Sequence, residues 1–270
     1  MSQQIEIKIA GLNDILRAME RVSIAVSGGV DSMTLAYAAH RELGKDATMF
    51  HAISPAVPPE ATERVQRYAE AYGWTLRIID AGEFSDQEYL ANPVNRCYFC
   101  KFNLYGAIRS QSQNSILSGT NLDDLADYRP GLQAAESFGV RHPYVECRID
   151  KAMVREIAKT FELDEMAELP ASPCLSSRIE TGIRVDALKL RLVHAIEQCV
   201  SKKLLAATVR CRVRRNGLVI ELDKDVYERI LAGGMDLLRN ELGQIGVDHG
   251  YSGSVDFAIY QMGSAFLRDQ

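Results

Sequence analysis

The hydrophobic pattern of the chain switches between two periods. Leu12, Ile15, Leu16 and Met19 recur every three to four residues and predict an amphipathic helix over 12–21. Residues 22–26, Val-Ser-Ile-Ala-Val, are mostly apolar and β-branched at three positions, the composition of a buried strand. Residues 33–40 then return to a helix-forming pattern. The alternation continues with strands predicted over 47–53, 75–81 and 115–119. Helices are predicted over 60–72, closed by Gly73, from the 92–101 stretch through Arg109, over 132–138, and over 151–161 behind Asp150 as N-cap. Pro55, Pro58 and Pro59 end the second strand in an exposed loop that starts at Ser54. Strands alternating with helices specify the α/β class, a doubly wound parallel sheet with right-handed crossovers. After Gly182 the pattern changes to a long helix (185–202), two strands (208–215 and 218–223) about Asn216-Gly217, a helix from Asp225 and a short C-terminal strand. That predicts a second, smaller α+β domain, with the chain divided into 1–178 and 179–270.

Composition narrows the classes. A chain of 270 residues is long enough for one sizeable core and a companion domain. Its 47% hydrophobic and 25% charged residues are those of a globular protein, and the net charge of −5 argues against a general nucleic-acid binder. No apolar run approaches the roughly 20 residues that span a bilayer. The first residues show no basic segment followed by an apolar one, so the expected location is cytoplasmic, with no membrane partner. Six cysteines are too sparse for a disulfide scaffold, and clustered thiols in a reducing cytosol point to metal or redox chemistry.

The candidate chemistry starts where the first strand ends. Ser27-Gly28-Gly29-Val30-Asp31-Ser32 joins that strand to a helix. Gly28 and Gly29 can both take positive φ without a Cβ clash, so their amides can turn toward an anion at the positive end of the helix, with Ser27 and Ser32 adding hydroxyls. Asp31 suits such a site if Mg²⁺ stands between it and a phosphate, or if it caps the helix. Neither a Gly-Lys-Ser/Thr ending nor a Gly-x-Gly-x-x-Gly run is present. Ligands of parallel sheets bind outside the carboxyl ends of the strands, so the Ser54 loop is a candidate wall for a base. The fourth strand empties into Gly119-Thr-Asn121-Leu-Asp123-Asp124-Leu-Ala-Asp127, whose three carboxylates can hold Mg²⁺ on phosphates or cap the next helix. Cys97 and Cys100 lie one helical turn apart, a spacing shared by zinc sites, redox pairs, iron–sulfur ligands and core cysteines. Cys174 sits between Pro170, Pro173 and Arg178 in a rigid loop, where a cation favours the thiolate. Arg210, Arg212 and Arg214 alternate along one strand and share a face, either a solvated surface or a phosphate site.

Together these motifs resemble the LarE family of ATP-dependent sulfur transferases, within the PP-loop ATP pyrophosphatase superfamily. The resemblance spans nearly the whole chain. It rests on 27–32, on Arg96-Cys-Tyr-Phe-Cys-Lys101, on Gly119-Thr-Asn-Leu-Asp-Asp124 with Asp127-Tyr-Arg-Pro-Gly131, on Pro173-Cys-Leu-Ser-Ser-Arg178, and on Arg212 and Arg214. It implies a PP-loop domain over 1–178 and a substrate or oligomerisation domain over 179–270. It implies ATP and Mg²⁺ held by Ser27, Gly28, Gly29, Asp31, Ser32, Ser54, Gly119, Asn121, Asp123, Asp124, Asp127 and Arg178, and substrate anions held by Arg212 and Arg214. The implied reaction adenylates a carboxylate of a pyridinium biscarboxylate mononucleotide, a small-molecule nucleotide substrate, and sulfur then displaces AMP to leave a thiocarboxylate. In some members the cysteine matching Cys174 gives up its own sulfur, whereas in others three cysteines, matching Cys97, Cys100 and Cys174, hold a 4Fe-4S cluster. All three are present, so the chain resembles the cluster-bearing branch, with Cys174, Cys97, Cys100 and Asp31 as the expected catalytic set. A homo-oligomer and contacts with other cofactor-maturation proteins are further expectations. The chain departs from the family pattern in a shorter turn after Arg214, and Glu221 is given no role. The competing readings are a tRNA thiolase, for which no basic RNA-binding extension is present, an amide-forming synthetase, which has no use for Cys174, and a zinc-stabilised nucleotide-binding module with Cys147 as fourth ligand.

Overall fold

A computed structural model describes residues 3–126, 130–171, 173–261 and 263–264. The chain forms two compact units, Met1–Glu83 with Cys97–Ser172, and Phe84–Arg96 with Pro173–Gln270.

The first unit is built on four parallel strands: β1 (Val22–Ala25), β2 (Ala47–Ala52), β3 (Thr75–Ile79) and β4 (Ser115–Ser118), in the spatial order β3-β2-β1-β4. All four residues of β1 are buried, because the strand has a neighbour on each side and helices on both faces. Successive side chains serve opposite faces. Val22 and Ile24 pack with Ala47, Met49 and Leu117 beneath the helices Gln3–Met19, Val30–Leu43 and Lys151–Thr160. Ala25 packs with Phe50 and Ile116 against the helices Arg96–Gln111 and Pro130–Ser137. Ser23 shares the second face and meets its hydrogen-bonding need on Ser112 Oγ, 2.9 Å away. The helix predicted over 12–21 starts earlier, at Gln3, and ends at Met19, where Glu20 takes a left-handed φ of 60°. Gly73, at φ 67°, closes the helix Pro59–Tyr72 as expected, and Asp150 caps Lys151–Thr160 through Met153 N at 2.8 Å.

This strand order fixes where a ligand can go. From β1 the chain winds outward through β2 and β3, then returns to place β4 on the other side of β1. The loops after β1 and β4 therefore diverge around a crevice at the carboxyl ends of the strands, the topological switch point of the sheet.

The second unit carries the antiparallel pair β5 (Val209–Arg214) and β6 (Gly217–Leu222), joined at Arg215-Asn216, with β7 (Val255–Ile259) parallel to β6. Helices Ala187–Leu204, Lys224–Ala232 and Met235–Asp248 complete it, the last without a sequence-level expectation. Residues 84–96 belong to this unit through Asn92, whose side-chain amide donates to Glu180 O at 2.8 Å and Ile183 O at 2.9 Å, while its backbone carbonyl accepts from Gly182 N at 2.9 Å. Among the described residues no helix is long and apolar enough to cross a membrane.

His51 on β2 ties the first loop to the helix after it. Its ring is buried, Nδ1–H donates to Val26 O at 2.8 Å, and Nε2 accepts from Thr62 Oγ1 at 2.9 Å, so the neutral ring is fully satisfied. Burial holds its pKa below the ordinary 6.5, against the smaller upward pull of the Val26 carbonyl. Above pH 6.5 both folded and unfolded states carry neutral His51 and stability is flat; below it the unfolded chain takes up a proton that the folded one refuses. Unfolding free energy should thus fall as the pH drops below about 6.5, and His51→Gln should show a shallower acid slope in denaturant titrations between pH 5 and 7.5. An unchanged slope would remove His51 from the acid response.

Candidate active site at the switch point

The loop at 27–32 folds on itself through its two serines. Ser27 N donates to Ser32 Oγ at 3.0 Å, the two hydroxyls stand 3.1 Å apart, and Ser32 Oγ donates to Gly29 O at 3.2 Å. Gly28 takes φ +82°, and a Cβ there would fall 2.7 Å from Ala61 O, so only glycine fits. Gly29 does not share that conformation: at φ −86°, ψ 162° it is the extended N-cap of Val30–Leu43, a correction to the expectation of paired positive-φ glycines. Its position leaves the first amides of that 14-residue helix directed at the crevice, with the helix dipole behind them.

Gly119 answers a packing demand. A Cβ would lie 2.7 Å from Ser32 N and 2.8 Å from the Asp31 carbonyl carbon, so the end of β4 can approach the helix Val30–Leu43 this closely only as glycine. Asp31 then becomes the node between the loops. Asn121 Nδ2 donates to its Oδ1 at 3.1 Å, Lys151 Nζ to its Oδ2 at 2.5 Å, and Tyr144 Oη to its backbone carbonyl at 3.1 Å. Tyr144 is fully buried, and burial, then the Asp31 charge, pushes its phenol well above 10, which keeps it a donor. Asp124 accepts from Asn121 N and Asp123 from Lys151 N, each at 3.1 Å. Asp127 lies outside the described residues. Ser54 closes its own turn, accepting from Ala56 N at 3.3 Å.

A cavity of about 340 Å³ opens here, with Ser27, Asp31 and Ser32 on one wall and Gly119, Thr120 and Asp124 on another. Cys97, Lys101 and Tyr105 of helix Arg96–Gln111 form a third wall. Cys97 is exposed and Cys100, one turn on, is half-buried and does not line the cavity. On the β4 wall, Ser118 Oγ lies 2.9 Å from Thr120 Oγ1 and 2.8 Å from His142 Nδ1. Burial lowers the His142 pKa, and Glu146 pulls it the other way. Sequence reasoning brought Ser27, Asp31, Ser32, Gly119, Asp124 and Cys97 to this crevice and missed Lys151 and Tyr144. A carboxylate inside a phosphate loop signals the need for a cation, but only the fold says which one.

In the second unit Cys174 is an exposed thiol. Arg178 is buried and spends its guanidinium internally: Nε and Nη2 each donate to Glu197 at 2.9 Å, and Nη1 donates to Pro173 O at 2.7 Å and Cys174 O at 3.3 Å. It thereby fixes the backbone of the Cys174 loop. Arg212 is buried too, with Nε on Glu221 Oε2 at 2.9 Å and Nη1 on Ser177 O at 3.0 Å. Arg214 is more open and reaches Glu221 at 3.3 Å, Glu180 at 3.4 Å and Ser264 O at 3.0 Å. Glu221, unassigned from sequence, is the carboxylate that binds both arginines. Among the described residues no three His, Cys, Asp or Glu side chains stand together as a metal site.

No protein-family model matches the chain. An uncharacterized protein of Synechocystis sp. is 35% identical over 264 residues, 96% of this chain and 97% of that one. The pyridinium-3,5-bisthiocarboxylic acid mononucleotide synthase of Lactiplantibacillus plantarum is 30% identical over 220 residues, 80% of this chain and 79% of the synthase. An uncharacterized Methanocaldococcus jannaschii protein is 26% identical over 215 residues, 78% of this chain and 81% of that one.

The arginine geometry separates two effects. Removing Arg212 leaves the buried Glu221 charge with the longer Arg214 contact and the neutral Ser264 hydroxyl at 2.5 Å, so Arg212→Ala should cost about 3 kcal/mol of stability. Arg214→Ala should cost under about 1 kcal/mol, since a partly exposed pair contributes little. Thermal unfolding of the two variants side by side checks this, and equal losses would contradict the assignment.

Proposed function

The chain belongs to the LarE family, that of the pyridinium-3,5-bisthiocarboxylic acid mononucleotide synthase, and from that premise we propose that it is an ATP-dependent, AMP-forming sulfur transferase acting on a pyridinium carboxylate mononucleotide. One observation carries the reading: the phosphate loop and the Cys97 thiol line the same switch-point cavity. The amides that open helix Val30–Leu43 bind the pyrophosphate portion of ATP, and the dipole behind them favours its charge. Lys101, on the facing wall, adds a cation. The substrate carboxylate oxygen attacks the α-phosphorus, the bond to the β-phosphate oxygen breaks, and pyrophosphate leaves with the electron pair. A sulfur nucleophile then attacks the acyl carbon and AMP departs, leaving a thiocarboxylate. Adenylation serves this second step because a bare carboxylate is a poor electrophile.

Mg²⁺ fits the donor set, since it takes hard oxygens and one or two carboxylates alongside phosphates. Asp31 and Asp124 would hold it, and it would neutralise charge on the phosphate oxygens. The 4Fe-4S cluster enters on donor chemistry, three cysteine thiols being the ligand type such clusters take. Arg214 is open enough to meet a substrate anion, whereas Arg212 is buried.

The protein, purified without air and given ATP and the biscarboxylate mononucleotide, should form AMP and pyrophosphate. Asp31→Ala and Ser32→Ala should slow this at least about 100-fold, equivalent to some 2.7 kcal/mol of transition-state stabilisation. ADP as product would overturn the reading. For the sulfur branch, anaerobic reconstitution should give about four irons per chain, lost in each of Cys97→Ala, Cys100→Ala and Cys174→Ala. Full activity in the first two, or loss of one sulfur's mass from Cys174 after a single turnover, would favour the sacrificial route.

A further inference from the structure

Lys151 is held at its place from three directions. Asp150 caps its helix, its own backbone N–H donates to Asp123 Oδ2 at 3.1 Å, and the preceding carbonyl of Ile149 accepts from Leu122 N at 3.0 Å. The turn after β4 is thus stitched to the start of the helix Lys151–Thr160, and from that anchored backbone the lysine reaches Asp31 Oδ2 at 2.5 Å. Asn121, in the same turn, takes the other oxygen, Oδ1, at 3.1 Å. Both carboxylate oxygens of Asp31 are therefore bonded in the nucleotide-free protein. Each oxygen keeps a further lone pair, but a divalent cation bound there beside the Lys151 ammonium would face a like charge at close range, and the lysine, partly exposed on a flexible stem, is the donor free to swing away.

We propose that Lys151 is a positioning residue that serves as the built-in counter-ion of the phosphate loop. It neutralises Asp31 before nucleotide arrives and yields that carboxylate to the cation that accompanies ATP. Without it, Asp31 would present a bare negative charge to an incoming polyphosphate. With it, the crevice accepts the anion first and the metal second. The inference deepens the nucleotide-binding reading and rests on it.

The test is calorimetric and needs no turnover. The full chain is titrated with α,β-methylene ATP, which resists cleavage between those phosphates, once in EDTA and once in excess Mg²⁺. The wild type, Lys151→Gln and Lys151→Arg are compared, with thermal unfolding as a check of folding. In Lys151→Gln the ratio of the metal-free Kd to the Mg²⁺ Kd should rise at least about tenfold, because only Mg²⁺ can then offset Asp31. Lys151→Arg keeps the charge and should hold the ratio within about threefold of wild type. An unchanged ratio in Lys151→Gln overturns the counter-ion role alone. No binding of the analogue to the wild type under either condition overturns it together with the nucleotide reading.

Discussion

The switch-point site depends on one close approach. β4 ends against the first turn of the helix Val30–Leu43 at a distance that excludes even a methyl group on residue 119. That contact sets the separation of the two loops, and hence places Asn121 within hydrogen-bonding range of Asp31. A larger residue at 119 would push the strand end outward and break that bond first. The parallel sheet makes the contact worthwhile. Parallel strands present all their carboxyl ends on one edge, and the reversal of strand order at β1 leaves the gap beside β4 uncovered by a crossover.

Around that contact the charges are arranged so that none stands isolated. Asp31 has Lys151, and Asp123 and Asp124 accept backbone amides, so the crevice carries acidic residues without a net repulsive face toward a phosphate. The helix amides and Lys101 stand opposite. The supporting layer is uncharged in character: His51 is kept neutral by burial, and Tyr144 is kept protonated. A polar layer that burial biases toward its neutral forms thus backs the loop backbone behind the charged groups.

Much of the first unit could be read from local pattern, because its strands are short runs ending in turn signals and helices such as Pro59–Tyr72 and Lys151–Thr160 carry a recognisable cap, Gly73 and Asp150. Gly28, Ser32 and Gly119 were legible as part of a phosphate loop or a strand end, yet the reason for Gly119 was not, since its neighbour in space, Ser32, is 87 residues away. Lys151 was read only as the first residue of a helix, for the same reason: its partner lies 120 residues earlier. Residues 84–96 fall inside the first domain as predicted over 1–178. Their place in the second unit follows from Asn92 bonds to carbonyls some 90 residues on, which no local period announces.

The arginines of β5 show why alternation alone misleads about exposure. A basic residue at every second position reads as a solvated face, but Arg212 lies in the interior because β6 supplies Glu221. A charge buried this deeply is retained only when paired, and the pair in turn fixes Ser177 O through the other arm of the guanidinium. Arg178 acts on the same loop from the other side, through the carbonyls of Pro173 and Cys174. Two buried arginines, each neutralised by a glutamate, thus hold the backbone around an exposed cysteine. Arg214 is held less tightly than these two, its two carboxylate contacts being at the long end of hydrogen-bonding range. The shape of the Cys174 loop therefore rests on the two arginines whose guanidinium groups are buried and bonded on both arms, while Arg214 on the same strand keeps the more open position.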